Sequence, residues 1–233
     1  LGVMDFDGSL LTSLAFDEIS AVEGSDYFLV RIDSVRGLID RRNKTIIPFN
    51  ERLEDVIGYR EDLIAIKLDG KFGFVDRQGQ LIIANRYDDI QLFSEGLASY
   101  KLNGKWGFLN SSEELVIQPV FDEVLPFRNG VTAVRDGNRW ALIDKSGVKI
   151  ESLKYTNIKR LKSGKYLMIS ESGVGLNDVN GQQVMLPMYE QLQDIDNGKA
   201  IIRKNGKWGV INYDGTYVIP TLYEQEVYDR IRD

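Results

Sequence analysis

The chain has 233 residues, 43% of them hydrophobic and 27% charged, with 29 Lys and Arg against 35 Asp and Glu for a net charge of −6. That is the composition of a folded chain, and its negative sign disfavours nucleic acid and anionic lipid, which need a positive surface. With no cysteine and no histidine, disulfides, thiolate nucleophiles, Cys/His zinc sites and histidine triads are excluded. No apolar run is long enough to span a membrane as a helix. The chain begins at Leu1 rather than at a methionine, so a preceding segment, with any signal peptide or lipid anchor it carried, is expected to have been removed.

Read from its first residue, the sequence repeats itself. A large apolar residue followed by a small one occurs at Leu1-Gly2, Phe72-Gly73, Trp106-Gly107, Trp140-Ala141, Val174-Gly175 and Trp208-Gly209, and Arg36-Gly37 keeps the small residue alone. The small positions 2, 37, 73, 107, 141, 175 and 209 are 34 to 36 residues apart, a period that marks a repeat array. Three residues after each stands Asp or Asn: Asp5, Asp40, Asp76, Asn110, Asp144, Asp178 and Asn212. Nine after comes an aliphatic residue, from Leu11 and Ile46 through Val116 to Val218. Fourteen after comes an aromatic (Phe16, Tyr87, Phe121, Tyr155, Tyr189, Tyr223), except in the second unit, where Asn50 stands thirteen after Gly37 in its place. Twenty after, the apolar residues are Val22, Ile57, Phe93, Phe127, Leu161 and Ile195.

Local chemistry turns each unit into short strands. Segments such as 97–102 (LASYKL) and 131–135 (VTAVR) are strand formers bounded by turn residues. Asp69-Gly70, Asn103-Gly104, Asp136-Gly137 and Asn205-Gly206 supply the positive φ of tight hairpins. The Trp-Gly strand follows, then an Asp-x-x-Gly turn and the aliphatic strand, which Pro48, Pro119, Pro187 and Pro220 are expected to end. No window has a helical period, and no linker interrupts the array. The expectation is therefore an all-β fold over residues 1–233 as a single domain. It would consist of about seven β-meander repeats, stacked as an open twisted solenoid rather than a closed propeller.

The pattern resembles the bacterial WG-repeat family, also called KWG repeats. The residues that carry the likeness are Asn103-Gly104-Lys105-Trp106-Gly107-Phe108, Asn205-Gly206-Lys207-Trp208-Gly209-Val210 and Asp69-Gly70-Lys71-Phe72-Gly73-Phe74. Val116-Ile117-Gln118-Pro119 with the following Phe121-Asp122 adds to it. The resemblance implies an all-β repeat module of bacterial surface and exported proteins, with no shared catalytic residues. Periplasm or cell surface is accordingly the expected location.

Each conspicuous residue has a structural reading beside a functional one. The anchors Phe72, Gly73, Trp106, Gly107, Trp140, Ala141, Trp208 and Gly209 read as packing, because Phe, Val and Leu replace Trp as burial permits and sugar stacking does not. Trp106, flanked by units on both sides, is expected to be better covered than Trp208 in the last unit. The recurring Asp or Asn reads as turn chemistry rather than a calcium ladder, since no later carboxylate repeats with it. The doublets Asp88-Asp89 and Asp122-Glu123 point to opposite faces of a strand and cannot flank one glycosidic bond. Gly173-Val174-Gly175 lacks the third glycine of a dinucleotide loop.

These readings lead to no catalytic residue, no metal and no cofactor. The expected function is a non-catalytic scaffold that binds a protein, with a glycan or cell-wall binding module as the alternative. The candidate binding aromatics are Tyr59, Tyr100, Tyr166, Tyr213 and Tyr217. They share no repeat position, which favours the scaffold.

Overall fold

The structure, a computed structural model, describes residues 16–150, 154–195 and 197–224. The anchor Leu1-Gly2, with Asp5 and Leu11, lies outside the described residues. Contacts divide the chain into two compact units, Leu1–Pro126 and Phe127–Asp233. Among the described residues every regular element is a strand, and no helix is long and apolar enough to cross a membrane.

The first unit contains three antiparallel four-stranded meanders. They are β1 (Glu18–Ala21), β2 (Tyr27–Ile32), β3 (Val35–Asp40) and β4 (Thr45–Asn50); β5 (Leu53–Arg60), β6 (Leu63–Leu68), β7 (Lys71–Val75) and β8 (Leu81–Tyr87); and β9 (Asp89–Ile90), β10 (Leu97–Leu102), β11 (Lys105–Asn110) and β12 (Leu115–Phe121). A short β13 (Glu123–Val124) follows. The second unit begins with the hairpin of β14 (Val131–Asp136) and β15 (Arg139–Asp144). Two further meanders complete it: β16 (Asn157–Arg160), β17 (Tyr166–Ser170), β18 (Gly173–Asn177) and β19 (Gln183–Tyr189), then β20 (Gln191–Asp194), β21 (Lys199–Lys204), β22 (Lys207–Asn212) and β23 (Tyr217–Tyr223). None of these sheets closes into a barrel. The strand that ends one sequence unit thus opens the next sheet, so the sheets are offset from the Trp-Gly frame.

Three central hairpins are closed by the predicted turns Asp69-Gly70, Asn103-Gly104 and Asn205-Gly206. The β14–β15 hairpin turns one residue later than predicted, at Gly137-Asn138, because Asp136 still pairs with Arg139. The β2–β3 and β17–β18 hairpins turn at Asp33-Ser34 and Glu171-Ser172. Leu102 pairs with Lys105 around Asn103 (φ 52°) and Gly104 (φ 81°), the two positive angles of a type I′ turn, whose twist matches the strands. The recurring Asp or Asn then shapes the next turn. Asp40 Oδ1 accepts the backbone N–H of Arg42 and Lys44 at 2.8 and 2.9 Å, and Asp76 does the same for Gln78 and Gln80. Asn110, Asp144 and Asp178 repeat the arrangement.

The glycine of the Trp-Gly pair has a different cause. Between β11 and β12 the register shifts on either side of Phe108, a β-bulge that brings the outer strand close. A Cβ on Gly107 would lie 2.4 Å from the carbonyl oxygen of Ile117, and those on Gly73, Gly175 and Gly209 would lie 2.6, 2.6 and 2.7 Å from Ile83, Met185 and Ile219. Real Cβ atoms do not approach so closely, so the bulge requires glycine. Ala141 takes the glycine's place in the fifth unit, where among the described residues β15 meets the following segment through isolated bridges of Trp140 with Tyr155 and Ile143 with Lys149.

The prolines occupy the same bulged strand, and here the sequence expectation is corrected. Pro48, Pro119, Pro187 and Pro220 lie inside β4, β12, β19 and β23 rather than ending them. Each of these strands is the last of its sheet, and each proline lies in the stretch where the register shifts, so the ladder is already interrupted where the N–H is missing.

The core is built from the residue after the small one, not from the tryptophan. Leu38, Phe74, Phe108, Leu142 and Leu176 are at most 1% exposed, and the aromatics Tyr87 and Tyr155 join them. Trp106 and Trp140 are only half-buried, whereas Trp208 is 6% exposed. The expectation that Trp106 is better covered than Trp208 is therefore reversed. The residue nine after the anchor also faces outward at Ile82, Val116 and Val218, and Ile57 is exposed because β5 carries two register shifts that rotate it away from the core.

Charged residues repeat a tie of their own. Lys71 pairs with Asp88 and Lys105 with Asp122 at 2.6 Å, and Lys207 pairs with Glu224 at 2.5 Å. The lysine before Phe72, Trp106 and Trp208 thus holds the acidic residue that follows the outer strand. Asp88 also accepts the N–H of Asn103 at 2.8 Å. These bonds occupy members of both acidic doublets considered above.

Candidate functional site

A polar groove lies in the first unit, between its first two sheets, and has a volume of about 620 Å³. Three turns line it: the β1–β2 turn with Asp26, the β3–β4 turn with Arg41 and Arg42, and the β7–β8 turn with Arg77. Tyr27 and Tyr59 complete the wall. The two tyrosine rings meet edge to face, centroids 5.6 Å apart at 80°. The Arg77 guanidinium lies 5.5 Å from the Tyr59 ring centre and donates from Nε to the Tyr59 hydroxyl at 2.7 Å. That hydroxyl donates to Asp62 at 2.7 Å, and Arg77 also pairs with Asp62. Arg41 sits 3.7 Å from Asp26, and the Arg42 side chain has no partner among the described residues.

The electrostatics follow from these contacts. The Tyr59 hydroxyl, then Arg77, hold Asp62 below the usual carboxylate range. Burial, then the bond to Asp62, raise the Tyr59 hydroxyl, against the pull of Arg77. The result is a fixed Tyr–Asp–Arg cluster beside the Arg42 guanidinium, which has no partner among the described residues.

This cluster is where the repeat pattern breaks. Asp62 is followed at intervals of 34 residues by Gly96, Gly130, Gly164 and Gly198, all at positive φ. Asp62 adopts the same left-handed backbone, φ 65°, and its neighbour Glu61 has φ 51°, a conformation that costs an L-residue more than glycine. Counted back 34 residues from Phe93, Tyr59 rather than the Ile57 that lies twenty after Gly37 takes the place filled in later units by Phe93, Phe127, Leu161 and Ile195, because the second unit is longer than those that follow. Glu61 accepts the N–H of Glu95 and Gly96 at 2.7 and 2.9 Å, which anchors the turn to the third sheet.

Of the five candidate tyrosines, only Tyr59 lines this groove. Tyr100 and Tyr166 are 0% exposed, which corrects their reading as binding aromatics. Tyr100 packs against Tyr87, centroids 5.0 Å apart, and Tyr166 donates to the Val131 carbonyl at 3.3 Å. Tyr213 is a partly buried strut of the second unit: Lys165 donates to its hydroxyl at 2.6 Å and to Asp194 at 2.8 Å, and Tyr213 donates to Asp194. Tyr217 is exposed on β23 and lies in the second unit. Sequence reading passed over Tyr27, Arg41, Arg42, Asp62 and Arg77. The gap in the glycine column at Asp62 was the signal that pointed to them.

The fold and its repeat define an all-β repeat protein built from Trp-Gly hairpins. The family described as WG containing repeat matches residues 37–72, 72–106, 106–140, 175–208 and 208–229, most of the chain, and the chain belongs to it. The unmatched interval between 140 and 175 holds the Val174 that replaces Trp. A search of curated proteins finds no match. Among solved structures, Hsv2p of Kluyveromyces lactis is 13% identical with a TM-score of 0.42, covering 85% of this chain and 74% of that one. The AfRom2 CNH domain is 9% identical with a TM-score of 0.40, covering 90% and 84%. A protein of unknown function from Bacteroides caccae is 15% identical with a TM-score of 0.31, covering 84% and 93%. Likeness at this level carries no argument about function.

Proposed function

We propose that the chain is a non-catalytic WG-repeat scaffold that binds a protein partner through the groove of its first unit. Support comes from one observation above all. At Asp62 the repeat gives up the glycine present in the same column elsewhere and keeps a strained backbone, and the side chain so placed organises Tyr59 and Arg77 in the groove. Strain of this kind concentrates where a binding geometry needs it, and tyrosine and arginine are the residues that dominate protein interfaces. The non-catalytic reading is supported by the acidic doublets, whose Asp88 and Asp122 are engaged in the lysine ties. A place in an exported or surface bacterial protein rests on the family resemblance.

The test is capture. Immobilised wild-type chain and the variants Asp62→Gly and Arg77→Gln are exposed to native envelope and soluble fractions, and bound proteins are quantified. The scaffold reading expects a small set enriched on the wild type and lost on both variants, each then confirmed with the purified partner. Equal recovery on all three chains would reject the groove as the binding site.

The alternative, a glycan-binding module, draws on β23, where Tyr217 and Tyr223 are 47% and 39% exposed. Binding of purified cell-wall polysaccharide that is lost on Tyr217→Ala and kept on Asp62→Gly would favour it.

A further inference from the structure

We infer that the groove of the first unit recognises a carboxylate side chain of an extended peptide segment, with Arg42 as the residue that receives it; this rests on the scaffold reading and names the chemistry of its ligand. The acids around the groove are already engaged. Asp40 accepts two turn N–H groups through one oxygen, Asp62 is held by Tyr59 and Arg77, and Asp26 faces Arg41. The Arg77 guanidinium is fixed by the same cluster. Arg42 is left as an exposed guanidinium with five donors and no partner among the described residues, at the rim of a groove of about 620 Å³. A planar donor fork of this kind pairs best with a carboxylate or phosphate group.

The surroundings narrow the ligand further. The protein as a whole carries a charge of −6, so a polyanion would be repelled by the molecule that holds the site. A single acidic side chain on an otherwise neutral segment escapes that repulsion. The groove is of a size for two or three residues. Its tyrosine rings are crossed at 80°, so they give no shared flat platform for a row of sugar rings. They suit an aliphatic stem or a peptide backbone lying in the angle between them.

The probe is an acetylated and amidated octapeptide of Ala and Gly with one central Glu, compared with the same peptide carrying Gln there and with an oligomer of glucuronic acid. Backbone and side-chain resonances of the full chain are followed by NMR. The inference expects saturable shifts at Arg42, Tyr27 and Tyr59 with the Glu peptide, weakened by salt. The Gln peptide should bind at least about ten-fold more weakly, as loss of a charge-assisted hydrogen bond implies. Arg42→Gln, which removes no side-chain bond among the described residues, should abolish the preference, and Arg42→Lys should restore part of it. No binding of the Glu peptide, equal binding of both peptides, or a preference retained in Arg42→Gln would overturn it, and so would binding of the glucuronate oligomer instead of the peptide. If partner capture depends on Asp62 and Arg77 but survives Arg42→Gln, this inference falls while the scaffold reading stands.

Discussion

Arg36 and Asn50 face each other directly across β3 and β4, at the two positions where the other sheets pair an apolar anchor with an aromatic. Phe72 lies opposite Tyr87, Trp106 opposite Phe121, Val174 opposite Tyr189 and Trp208 opposite Tyr223. The two departures from the repeat in this sheet are therefore one departure, seen from both strands. Asn50 also shapes the turn that follows it. Its Oδ1 accepts the N–H of Arg52 and Leu53 at 3.0 and 2.9 Å, directing the chain into β5. A double-mutant cycle makes the coupling measurable. Asn50→Phe alone should cost about 1–2 kcal/mol through the lost turn bonds. Combined with Arg36→Trp it should recover about 0.5–1 kcal/mol as a cross-strand aromatic pair. Strict additivity in urea unfolding would show that the two positions do not communicate.

The bulge makes a prediction about small residues. Gly107→Ala places a methyl 2.4 Å from the Ile117 carbonyl oxygen, against backbone that cannot swing aside. The cost should be at least about 1–3 kcal/mol, the usual range for overpacking. Ala141→Gly adds no atom and should cost about 0.5–1 kcal/mol, the entropy penalty of glycine in a strand. Equal effects would remove the bulge as the reason for glycine in the Trp-Gly pair.

Much of this fold was readable from the repeat columns, because each column reports one local requirement. The Asn-Gly and Asp-Gly pairs need positive φ, and the Asp or Asn after each anchor needs turn N–H groups. Which face each column presents was not readable. The bulge between the Trp-Gly strand and its outer neighbour breaks the two-residue alternation, so Val116 faces outward and Ile117 inward. Nor could the half-burial of Trp106 be foreseen, since the phase of the pleat is set by that same bulge. The groove was legible only as an exception, an aspartate in a column of glycines. Its arginines come from turns in two different sheets, and only folding brings them together.

Tyr100 supplies a pH test. Burial pushes its hydroxyl up to about 12 from an ordinary value near 10. Because the folded value is raised, its contribution is fully present below pH 10 and is lost as pH rises towards 12, on the order of 2–3 kcal/mol in all. Ultraviolet titration of wild type and Tyr100→Phe should show one late-ionising tyrosine missing from the variant. The variant's stability should also fall less between these two pH values. Identical titration curves would count against the burial of this hydroxyl.

The exposure of the tryptophans predicts an order of stabilities. Trp208 is 6% exposed and Trp106 half-buried, so Trp208→Ala should cost about 3–5 kcal/mol and Trp106→Ala clearly less. The half-buried ring of Trp106 is partly covered by Lys101, whose Nζ lies 5.6 Å from the ring centre. A larger loss at Trp106 would mean that neighbours in sequence, rather than burial, govern these anchors.

Asp62 links stability to binding. Its backbone sits at φ 65°, in a column where Gly198 has φ 75°. Asp62→Gly relieves the left-handed strain and gives up only exposed bonds to Tyr59 and Arg77, which contribute little in water. The melting temperature should therefore hold or rise, while capture of the partner is lost. The reciprocal change isolates the backbone effect. Nothing lies within 4 Å of a Cβ on Gly198, so Gly198→Asp meets no steric obstacle and should cost about 1 kcal/mol from conformation alone. A stabilised Asp62→Gly that no longer binds is the signature of a position kept strained for function. If the variant instead loses stability and keeps its partner, Asp62 is a structural residue, and the groove loses the observation on which its role rests.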